Sequence, residues 1–156
     1  MYVDNNLLVS GAVSALGVIT GQTVTGASVT VLSTNTIDLL QNRDIAAGND
    51  WLKMRMQTLV AQVGAISIDA QIIVADDAGL TTNVTQIGST GALLTAAMTL
   101  GSRFTAELNT RLLSKGQRYL GVRYVIVGTS TAGAFFTDFG PDVEDFKAYP
   151  SGFAVI

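Results

Sequence analysis

Apolar and polar side chains alternate most strictly over Leu52-Lys-Met-Arg-Met-Gln-Thr-Leu-Val60. Leu52, Met54 and Met56 fall on one side of an extended chain, and Lys53, Arg55 and Gln57 on the other, until Leu59 breaks the pattern. A period of two is the signature of a strand with one face on a core. The same period returns at Ile66, Ile68, Ala70 and Ile72, with Ser67, Asp69 and Gln71 between them. Arg118 to Val127 is rich in β-branched and aromatic residues and stops at Gly128, which predicts a central strand. Gly128-Thr-Ser-Thr-Ala-Gly133 has turn composition, and Ala134 to Phe139 resumes as a strand, so the pair is expected to form a hairpin. Shorter strands are expected at Ser28 to Leu32, Thr36 to Leu40, Asn83 to Ile87 and Phe104 to Leu108. Leu93 to Leu100, bounded by glycines, fits one or two helical turns or a strand followed by a turn.

About eight short strands joined by glycine-containing loops must hide their apolar faces from water, which requires two packed sheets or a closed barrel. The expected fold is all-β, a sandwich or jelly roll. The 156 residues fit one core, so a single domain is expected over 1–156, with an N-terminal arm at 1–8 and a C-terminal extension at 141–156.

Composition narrows the function. Charged residues make up 13% of the chain, about half the usual quarter, while hydrophobic residues make up 48%. So little charge suits a surface that is covered in an assembly. Nine Lys and Arg, spread along a chain of net charge -3, do not form the cationic face that phosphate binding needs, so nucleic acid is not an expected partner. The uncharged stretch from Asn5 to Ile37 is broken by Ser, Thr and Gly too often to cross a membrane, and Met1 to Asn6 lacks the basic start of a secretory signal. The chain therefore reads as soluble and without a targeting segment.

Candidate chemistry is sparse. Without histidine or cysteine the chain has no His-based triad, no thiolate nucleophile, no disulfide and no zinc site of the usual kind. Asp76-Asp77-Ala78-Gly79 has the composition of a tight turn. Asp142-Val-Glu-Asp-Phe-Lys147 fits a solvated turn, a short capped helix or a docking tail for a basic surface, and lacks the ligand spacing of a calcium loop. Neither Gly21 to Gly26 nor Gly128 to Gly133 carries the lysine of a phosphate loop. Tyr119, Tyr124, Phe135, Phe136 and Phe139 sit among Val, Ile and Leu, as core aromatics do. No catalytic residue, metal site or cofactor is expected.

Leu7-Leu8, Ser33-Thr-Asn-Thr-Ile-Asp-Leu39, Arg43-Asp44 with Gly48, Arg118-Tyr119-Leu120, Tyr124 and Gly128 to Gly133 together resemble the Bbp16-like capsid cement proteins of tailed bacteriophages. The resemblance runs from about Asn6 to Phe139 and does not include the segment from Pro141 to Ile156. It implies a jelly-roll β-sandwich, displayed as homodimers on the outer face of an HK97-type shell and bound to the major capsid protein. It also implies a virion location after synthesis in the host cytoplasm. On that reading the expected capsid or dimer contacts are Tyr2, Leu7, Leu8 and Trp51, with Asp142, Glu144, Phe146 and Tyr149 of the C-terminal extension. The competing reading is a carbohydrate-binding sandwich, in which Trp51 or exposed tyrosines stack on sugar rings. A glycosidase built on carboxylate pairs has no positive feature behind it.

Overall fold

A computed structural model describes residues 5–40, 52–108 and 117–140. Asn5–Leu7 form a 3-10 turn that leads into β1 (Leu8–Ser10). Six more short strands follow: β2 (Ala12–Val13), β3 (Ile19–Thr20), β4 (Gln22–Thr23), β5 (Gly26–Ala27), β6 (Thr30–Leu32) and β7 (Ile37–Asp38). The rest of the described chain is dominated by two long strands, β8 (Lys53–Ala75) and, after β9 (Thr85–Leu94) and β10 (Arg103–Glu107), β11 (Tyr119–Gly140).

The two long strands lie antiparallel along their whole lengths, from Tyr119 opposite Ala75 to Gly140 opposite Lys53. On the far edge of β11 the N-terminal segments line up one after another: β1 beside Asp138, β4 beside Ala134, β5 beside Thr129, β6 beside Tyr124 and β7 beside Tyr119. On the far edge of β8, β9 covers Ser67 to Val74 and β10 covers Lys53 to Gln57. These strands make one antiparallel sheet, and β2 with β3 forms a separate small ribbon.

The sheet folds over on itself. Tyr124 and Thr137 lie thirteen residues apart on β11, roughly 40 Å if the strand were straight. Yet their hydroxyl oxygens are 2.7 Å apart, and the Tyr124 ring stacks on Phe135 at 5.7 Å. The bend is where the β11–β8 register slips, between Val127 and Phe135. Each slip leaves residues unpaired and turns the strand, as a β-bulge does. Gly64 allows this on β8. Its φ of 86° suits glycine, and a Cβ there would come within 2.4 Å of the Thr129 carbonyl oxygen.

The folded sheet encloses one main core. Met54, Met56, Phe135 and Phe139 come from one side of the bend, and Ile68, Ala70, Ile72, Val74, Leu120, Val122, Tyr124 and Ile126 from the other. Each large side chain hidden here contributes about 1.5–3 kcal/mol by burial. A smaller cluster of Ile73, Ala75 and Leu80, with Leu32, Val84 and Tyr119 against it, covers the outer face at one end.

Several expectations are met and several are corrected. The strands expected at Leu52 to Val60, Ile66 to Ile72 and Arg118 to Val127 are present, but the first two are halves of one strand. Gly128 to Gly133 is not a hairpin loop: β11 passes through it, and both of its halves pair with β8. The composition that suits a turn also suits a bulge, and β8 supplies partners on both sides of it. Ile66 is exposed rather than in line with Ile68, because it sits at the bend beside Gly128. Leu93 and Leu94 end β9, and Thr95–Ala97 make a single 3-10 turn. Among the described residues no helix is long and apolar enough to cross a membrane.

Candidate functional site

Of the expected contact residues, Leu7 and Leu8 are within the described chain. Leu7 packs against the main core, and Leu8, 7% exposed, pairs with Asp138 at the sheet edge. Both hold the N-terminal segment to this chain's own sheet. Tyr2, Trp51, Asp142, Glu144, Phe146 and Tyr149 lie outside the described residues. The fold-over separates two poles. One is the bend. At the other lie both ends of β8 and β11, where Asp38 is opposite Tyr119, and Lys53 is opposite both Gly140 and Glu107.

The open pole carries ion pairs. Arg118 donates Nε to Asp38 Oδ1 and Nη2 to Asp38 Oδ2, both at 2.6 Å, and its guanidinium lies 5.2 Å from the centre of the Tyr119 ring. That hydrogen bonding holds the Asp38 carboxyl below the usual range, and the Arg118 guanidinium above it. Lys53 Nζ sits 3.6 Å from Glu107 Oε1. Arg55 and Asp138 form a buried pair, with Nε 3.0 Å from Oδ1 and a second bond from Nη2 to Oδ2. Burial pushes the Asp138 carboxyl up, and the two Arg55 bonds pull it back part of the way. Gly140 makes the pair possible, because a Cβ there would meet the guanidinium at 2.5 Å. A small pocket beside the pair is lined by Gln57, Arg103, Phe104 and Phe136.

Two further carboxylates, Asp69 and Asp77, are also bonded within the chain. Arg123 Nε donates to Gln71 Oε1 at 2.6 Å, Gln71 Nε2 to Asp69 Oδ2 at 2.7 Å, and Ser89 Oγ to Asp69 Oδ1 at 2.5 Å. Asp77 closes the expected turn by accepting the Thr81 and Thr82 backbone N–H groups at 3.0 and 2.6 Å. The Thr82 bond, then those of Thr81, hold its carboxyl below the usual range. Carboxylates occupied in this way by cations and amides serve the fold. Tyr124, Phe135, Phe136 and Phe139 are fully buried, so they cannot stack on a sugar; Tyr119 is half-buried beneath Arg118.

The bend has the opposite chemistry. Residues 56–68, 78–102 and 124–137 contain no Asp, Glu, Lys or Arg, and neither do residues 5–37. These stretches supply both long strands at the bend and the segments bonded to them there. Gln62 N–H donates to the Met98 carbonyl, Gly101 N–H to that of Thr58, and Ser28 N–H to that of Gly128. Large aliphatic side chains point outward around this pole: Val60, Val63, Ile66, Leu94, Leu100 and Val127. Val127 and Leu94 flank Ser67 on neighbouring strands and share its face. Sequence reasoning missed this surface, although the break in alternation at Leu59 and the uncharged runs mark it.

No curated protein matches the sequence. The Bbp16 family model does match, over residues 18–138, which takes in the chain from just before β3 to the Asp138 of the buried ion pair. A match of that extent covers well over half of the sequence and nearly all of the folded sheet. The chain therefore belongs to the Bbp16 family of phage structural proteins, which has no known catalytic role.

Proposed function

We propose that this protein is a capsid cement protein, which binds the outer surface of an HK97-type shell and stabilises it by bridging neighbouring subunits of the major capsid protein. The family match carries this reading. The folded sheet is consistent with it, since a jelly-roll sandwich is also a ribbon closed over one core, and we assign the fold to that class. A cement protein works by adding many modest contacts over a repeating surface, so it needs adhesive faces rather than a reactive group. Homodimer display on the virion exterior is part of the same proposal.

Tyr2, Trp51, Asp142, Glu144, Phe146 and Tyr149 are the proposed contacts from the segments outside the described residues. Shells of the parent phage prepared without this protein provide the test. Saturable co-sedimentation, together with a higher melting temperature of the shell, is the expected result. A shell that neither binds the protein nor melts higher in its presence would overturn the cement reading.

A further inference from the structure

A bridge needs two ends, and the poles of this molecule differ in kind. The geometry points to the uncharged bend as the seat for an uncharged, apolar patch of capsid protein. This assignment rests on the reading of the chain as a capsid-binding protein and adds which face binds and what it binds.

Charge distribution selects the occupant. The ion pairs Arg118–Asp38, Arg55–Asp138 and Lys53–Glu107 all belong to the open pole. The stretches that build the bend hold no ionisable acid or base apart from the buried Tyr124. Nucleic acid and anionic lipid surfaces are both held by Lys and Arg, which those stretches lack. Protein interface cores, in contrast, are depleted in charge and built around large apolar anchors. Ile66, Leu94 and Leu100, at 65%, 62% and 71% exposure, are anchors of that type. A partner that buries Ile66 and Leu94 should be uncharged at the contact, because the stretches that build the bend supply no counter-ion, the one carboxylate of β8, Asp69, is already bonded to Gln71 and Ser89, and an unpaired buried charge is costly.

Shells lacking the protein are mixed with four variants, Ile66→Glu, Ile66→Lys, Leu94→Glu and Leu94→Lys, and with the wild-type protein. Each variant must first melt with the wild type; Leu100→Glu and Leu100→Lys, at the most exposed of the three positions, replace any that does not. Charge of either sign is expected to weaken shell binding at least tenfold. Unchanged binding overturns the assignment. Loss with only one sign also overturns it, since the patch opposite would then be charged. Sedimentation velocity of the free proteins separates out a second copy as the occupant: variants that stop self-associating but still bind shells give the bend to that copy and sink the proposal. If the wild-type protein itself does not bind, the cement reading falls first and this assignment goes with it.

Discussion

At the scale of single residues, the buried polar groups are the positions where losing one partner costs most. Arg55 and Asp138 are 83 positions apart in sequence and meet inside the molecule. Removing one partner strands the other charge, so Asp138→Ala is expected to lower the unfolding free energy by about 3–5 kcal/mol. Denaturant unfolding of Asp138→Ala, Arg55→Met and the double variant is the check, and the double should cost less than the two singles together. Tyr124 gives a second test. Its hydroxyl is 2.8 Å from Ser10 Oγ and 2.7 Å from Thr137 Oγ1, and burial pushes the phenol up to about 12 from its ordinary 10.0. The folded state therefore keeps a proton that the unfolded state releases, and stability falls as pH rises from about 10 towards 12. Spectroscopic titration should show a tyrosine ionisation step well past pH 10, and Tyr124→Phe should remove that late step. Little of this was legible in the sequence. Alternation put Arg55 on a polar face, but only the partner strand shows that this face is also covered.

At the scale of elements, the two long strands and their bend make the architecture. Gly64→Ala would force a side chain into positive φ against the Thr129 carbonyl, and is expected to cost about 1–3 kcal/mol in thermal or denaturant unfolding. If Gly64→Ala were as stable as the wild type, the bend would not depend on that residue. Period-two patterning revealed both halves of β8 and both halves of β11, because each half presents a continuous apolar face. It could not show that the halves are joined. Gly128 to Gly133 has the same composition whether the chain reverses there or bulges, and the choice is made by the partner strand, which is distant in sequence. The strands β2 to β5, two residues each, pass through Gly- and Thr-rich chain with no periodicity to read.

At the scale of the whole molecule, acidic conditions should weaken the contacts made by Asp38 and Asp77. Asp38 and Asp77 have carboxyls held below their ordinary range, so their contribution is present at neutral pH and is lost as pH falls below about 4 towards their lowered values. Stability measured between about pH 5 and 3 should fall less steeply in Asp77→Asn than in the wild type. The strand pairing also constrains when the molecule can form. Apart from the β2–β3 ribbon, the N-terminal strands pair with β11. On a ribosome, then, β1 and β4 to β7 have no sheet partner until residues 119–140 have emerged. Assembly of the sheet thereby follows synthesis of β11, and until then the nascent chain carries open strand edges that a second copy could pair with.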